Sequence, residues 1–157
     1  MSRYLTIIEV SQKQAFIFGP NKLRENINNS NIIAYITSCD YISDVIADSE
    51  KFSEANNLVY QGGGHTILQF NDAATAKEVV AKVTKKIICD YPDIEVFSAT
   101  TEYINDEKDS RLPKTANCTE LPARNIKYLT SKLEAKKAIR SASFKQGSFG
   151  IEKIDTN

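Results

Sequence analysis

The chain has 157 residues, formal net charge zero and 41% hydrophobic residues. That length suits one domain or one domain with an appendage, and the apolar share is enough to bury a core. The charge balance excludes a global electrostatic pull toward nucleic acid or membrane. No stretch approaches the roughly 18 apolar residues of a membrane span, and the N-terminal MSRYLTIIEV lacks the pattern of a signal peptide. Cys39, Cys89 and Cys118 are far apart, with no CxxC pair, so neither a disulfide framework nor a zinc ribbon is signalled. They read as reduced thiols of a soluble cytoplasmic protein.

In chain order, residues 4–10 (YLTIIEV) are β-branched and apolar, which predicts a buried strand. Glu9 near its end needs either the strand's exit or a charge partner. Residues 12–18 (QKQAFIF) suit a helical turn, followed by the punctuation Gly19-Pro20 and Asn28-Asn29-Ser30. Asn29 or Ser30 is placed to cap one long helix over NIIAYITSCDYISDVIA, where Ile32, Ile33, Ile36, Cys39, Ile42, Val45 and Ile46 keep helical spacing.

Residues 48–57 read as a polar loop. LVY and TILQF then flank Gly62-Gly63-Gly64-His65, a hairpin with a glycine-rich connection. The next predicted helix carries Ala73, Ala76, Val79, Val80, Val83 and Ile87 on one face. Asn71 or Asp72 caps it, lysines fill its last turn and Pro92 closes it. IEVFSAT, residues 94–100, is the fourth strand.

The order β, α, β, β, α, β predicts an α+β, ferredoxin-like βαββαβ sandwich over residues 1–103, a four-stranded antiparallel sheet with two helices on one face. Residues 104–124 read as a linker, and residues 125–157 as a basic helix and tail. Between Arg124 and Lys145 stand seven basic residues against one acid, Glu134, over a thin apolar face. Such a segment suits docking, on this domain or on one further along a longer chain.

Two-residue hairpin turns want one or two glycines, and a third invites close approach of a ligand or partner to the backbone. Gly62, Gly63, Gly64 and His65 are therefore candidate nucleotide-binding residues. Ser30, at a helix N-terminus, and the cations Lys22 and Arg24 are candidate phosphate contacts. Each has an ordinary alternative: a flexible turn, a helix cap, solvated charge.

The hairpin Tyr60-Gln61-Gly62-Gly63-Gly64-His65 resembles the Tyr-x-Gly-Gly-Asp-Asp/Glu hairpin of GGDEF diguanylate cyclases. It also resembles that of the palm-domain large subunit of type III CRISPR effector complexes, where nucleotides are polymerised or cyclised. QAFIFGPNKLRENINNS, Gln14 to Ser30, is similar to a phrase that follows the first palm strand in the CRISPR family. CTELPA, Cys118 to Ala123, is similar to its post-palm phrase.

This resemblance implies a palm domain in antiviral defence, with ATP held between two palms. It also implies a metal carboxylate at Glu9 and two more acids at the hairpin. Gly64 and His65 stand where those acids belong, so Glu9 is a vestigial metal ligand and the chain is expected to be a catalytically degenerate palm. ATP with Mg²⁺ supplied by a partner palm is the expected cofactor. A second palm, in the same longer chain or a homodimer, is the expected partner, with RNA or CRISPR effector subunits besides. Two alternatives stay open: an active small nucleotide cyclase working as a dimer, and an RNA-binding ferredoxin-like module. For the latter the strand HTILQF offers one aromatic, Phe70.

Overall fold

A computed structural model describes residues 2–12 and 30–155, with side chains through Arg140. Its strands are β1 (Tyr4–Gln12), β2 (Leu58–Gly62), β3 (His65–Phe70) and β4 (Ile94–Glu102). Helical residues 30–36 form α1. They are followed by α2 (Cys39–Val45), α3 (Glu54–Asn57), α4 (Ala73–Asp90) and α5 (Leu121–Asp155). The four strands make one sheet in the order β2-β3-β1-β4, all pairs antiparallel, which is the α+β, ferredoxin-like arrangement expected from the element order. The turn expected over residues 12–18 falls almost wholly outside the described residues.

Alternation along β1 divides the interior in two. Ile8 and Val10 join Ile36, Ile42, Phe52, Leu68, Phe70, Val79, Val83 and Ile87 beneath α2 and α4. Leu5 and Ile7 face the other way and meet Ile67, Ala99, Leu129 and Leu133 under α5. The sheet is thus covered on both faces, where the sequence pattern predicts helices on one. Leu129 and Leu133 are fully buried, so the apolar stripe of α5 is thin but sufficient to seat it. Burying one such side chain contributes about 1.5–3 kcal/mol.

The long helix expected after Ser30 is broken. Thr37 leaves the helix with its hydroxyl donating to the Ile33 carbonyl at 2.8 Å. Ser38 then caps α2, accepting from the Tyr41 amide at 3.3 Å. Serine and threonine compete for backbone partners in this way, and an unbroken apolar periodicity does not reveal it. Ser30 is itself helical, so it is not the cap assigned to it. Within the expected loop 48–57, Ser53 caps the short helix α3.

Asp72 caps α4 as the sequence suggests, accepting from the Thr75 amide at 2.7 Å. The helix runs on to Asp90, so Lys85 and Lys86 stand before its last turn and not in it.

Helix α5 begins at Leu121, inside the segment read as a linker, with Pro122 in its first turn. Residues 104–120 are tied to its start. The Arg124 guanidinium is buried and donates to the carbonyls of Glu107 at 2.8 Å, Pro113 at 3.0 Å and Leu112 at 3.3 Å. The Asn125 side chain both accepts from the Ile104 amide at 2.8 Å and donates to its carbonyl at 3.0 Å. Arg124, one of the seven basic residues of this segment, is therefore engaged by backbone carbonyls. No helix among the described residues is long and apolar enough to cross a membrane.

Candidate functional site

The β2–β3 connection is a two-residue turn. Gly63 and Gly64 have φ of 60° and 83°, positive at both central positions, as the favoured hairpin turn demands. Gly64 has a second constraint. A Cβ there would lie 3.1 Å from the Val10 carbonyl oxygen and 3.2 Å from Ile33 Cγ2. Its own carbonyl accepts from the Val10 amide at 2.9 Å. The hairpin tip is therefore pinned to the end of β1, one residue beyond Glu9.

On the helix side of the hairpin lies a cleft of about 400 Å³ lined by Ser30, Ile33, Ala34, Thr37, Gln61 and the three glycines. That volume falls within the range of small-ligand sites. The break between α1 and α2 is part of this cleft. The Gln61 side-chain oxygen accepts from the Cys39 amide at 3.1 Å, and the Thr66 hydroxyl donates to the Thr37 carbonyl. Strand and hairpin residues thus satisfy backbone groups that the broken helix leaves open. The described lining carries no charge, so a ligand there meets hydroxyls, an amide side chain and bare backbone. Lys22 and Arg24 lie outside the described residues.

On the α5 side, side chains dominate. Glu9 pairs directly with His65 across β1 and β3. The His65 ring stacks on Tyr60, centroids 5.3 Å apart and planes 29° from parallel. A bulge between Leu58 and Tyr60 gives β2 one extra residue there. Val59 and Tyr60 both line this face as a result. With Ile7, Ile67, Ile126 and Thr130 these residues surround a second cavity of about 450 Å³. The Glu9 carboxylate meets Lys137 of α5, Nζ to Oε2 at 2.7 Å. Lys137 also reaches Glu134 at 3.4 Å. The hydrogen bond to Glu9 raises the Lys137 pKa above its ordinary value.

The structure brings Ser30, Gly62, Gly63 and Gly64 together in the helix-side cleft. It places His65 and Glu9 across the sheet from it. The site residues that sequence reasoning missed are Thr37, Gln61 and Lys137. Lys137 left a signal. It stands four residues after Leu133 and eight after Leu129, so the stripe that α5 turns to the sheet changes from leucine to lysine opposite Glu9.

The magnesium ion implied by the palm resemblance requires several oxygen donors in near-octahedral array. Around Glu9 the described donors are one carboxylate and one imidazole, with an ammonium already against the carboxylate. These residues do not fit Mg²⁺. Among the described residues no group of three or more potential metal ligands occurs, here or elsewhere.

No family model and no curated protein matches the chain. Solved structures do. The chain is similar to the crystal structure of an apo Csm1–Csm4 cassette, with TM-score 0.58 and 21% identity, over 87% of this chain and 18% of that one. It is similar to a Csm1–Csm4 cassette in complex with one ATP, with TM-score 0.56 and 17% identity, over 87% and 18%. It is similar to Csm1 of T. onnurineus, with TM-score 0.55 and 19% identity, over 87% and 20%. At such identity the likeness is one of fold, and at that level the palm resemblance read from the sequence stands. The chain spans about a fifth of the length of the chains it matches.

Proposed function

We propose that this chain is a catalytically degenerate palm domain of a CRISPR-associated, nucleotide-cyclase-like protein. It binds ATP at the glycine hairpin, while a second palm supplies Mg²⁺ and the chemistry. The observation that carries this reading is the helix-side cleft, where Ser30 faces three consecutive glycines whose missing side chains let a phosphate or base approach the backbone. In support, one of the similar Csm1–Csm4 structures holds ATP. The misfit of the Glu9 surroundings to Mg²⁺ supports the degenerate part.

Isothermal titration with ATP and Mg²⁺ tests the binding, on the chain alone and mixed with a palm that has both hairpin acids. Absence of heat in both mixtures ends the nucleotide reading. Incubation with radiolabelled ATP and Mn²⁺ tests the degeneracy. No product is expected, and a cyclic or oligonucleotide product would establish the active-dimer alternative instead. The RNA-binding alternative loses its one aromatic on β3, since Phe70 is buried at 3% exposure under α4.

A further inference from the structure

Four elements converge on the cavity of about 450 Å³ beside α5. Ile7 of β1, Ile67 of β3 and Ile126 of α5 give it apolar walls, and Tyr60 and His65 line it as a stacked pair. Tyr60 keeps 48% of its surface exposed, so a further planar ring can continue the stack. No lysine or arginine is among the described residues that line the cavity. A phosphate inside would therefore be an unpaired charge beside a carboxylate. That carboxylate is Glu9. Lys137 takes its Oε2 at 2.7 Å, and its Oε1 has no hydrogen-bond partner among the described residues. An ionised carboxylate donates nothing and accepts at about four positions, most of which stay open here.

The occupant this describes is planar, uncharged and edged with adjacent N–H donors. Guanine has that edge, a ring N–H beside an exocyclic amino group, and acidic side chains accept from the amino groups of bases. Adenine sets a ring-nitrogen acceptor beside its amino group, and a carboxylate has no donor to offer it. We infer that the cavity is a base site selective for guanine, with the ring against Tyr60 and His65 and its donor edge on Glu9. The site lies across the sheet from the glycine cleft, so the inference goes beyond the ATP reading and does not rest on it.

His65 is the only histidine of the chain, so the proton on its ring Cε1 gives a single NMR line that reports on this cavity. On titration of the full chain with guanosine, the line is expected to shift by ring current and to saturate. Adenosine is expected to bind at least about 10-fold more weakly, the scale of one paired base contact. Glu9→Gln presents one acceptor and one donor, and is expected to lose the preference or turn it toward adenosine. Thr130→Phe fills the cavity from α5 and is expected to abolish the shift. Circular dichroism on each variant establishes that the fold is retained. The site is overturned if guanosine leaves the wild-type line unmoved, an arm that needs no variant. It is equally overturned if adenosine matches guanosine on wild type, if folded Glu9→Gln keeps the guanosine preference, or if folded Thr130→Phe keeps the shift. ATP binding is read separately, as heat, so the nucleotide reading and the guanine site fall separately.

Discussion

The two sides of the β2–β3 hairpin are built on opposite principles. On the helix side the surface is backbone: three glycines, a broken helix, and hydrogen bonds to Gln61 and from Thr66 that close the break. On the α5 side it is charged and aromatic side chains: Glu9, His65, Tyr60 and Lys137. The difference teaches that one short turn can be constrained twice. Gly64 answers to close approach by β1 and α1, while His65 stacks on Tyr60 of β2 beside the Glu9 that α5 engages.

The largest way to break the α5 side is to unseat the helix. Leu133→Ala empties a fully buried position and is expected to cost about 2–5 kcal/mol in urea unfolding. The Glu9–Lys137 contact should loosen with it. Next comes the backbone side. Gly64→Ala meets both a positive φ and the Val10 oxygen at 3.1 Å, with an expected loss of about 2–3 kcal/mol. Gly63→Ala meets the same φ constraint but only the His65 ring, at 3.5 Å, and should lose about 1–2 kcal/mol. Equal losses at the two glycines would mean that the pinning to β1 contributes nothing.

A smaller effect sharpens the helix side. Ser38→Ala removes the cap of α2 and should cost about 1 kcal/mol in the same unfolding measurement. Its signature would be faster hydrogen exchange at the Tyr41 amide. Smallest is Lys137→Met, since the partly exposed ion pair it breaks is worth under about 1 kcal/mol. A loss as large as that of Leu133→Ala would mean that Lys137 is chiefly structural.

Much of this layout was legible in the sequence. The four strands, the α4 face with its Asp72 cap and the hairpin follow from apolar period and capping chemistry, which act over a few residues. The break at Thr37 and Ser38 did not, because its compensation comes from Gln61 and Thr66, and no local rule carries a contact across that span. The basic helix docks on this domain, as its thin apolar stripe allows, but which of its cations turn inward was not legible: Arg124 is buried among carbonyls and Lys137 is paired. Lys136 also donates to the Ser98 carbonyl at 2.9 Å.

By itself the sequence determined which residues can be strands, which helices can be amphipathic, and that the hairpin would be free of side chains at three positions. Those properties are set by dihedral preference and side-chain period, both local. Only the tertiary structure decided what each face of the hairpin meets. The direction of Glu9 depends on strand register, and its partner depends on how α5 docks across the sheet. Both are settled by which apolar surfaces bury each other, a choice made by the whole chain and by no segment of it.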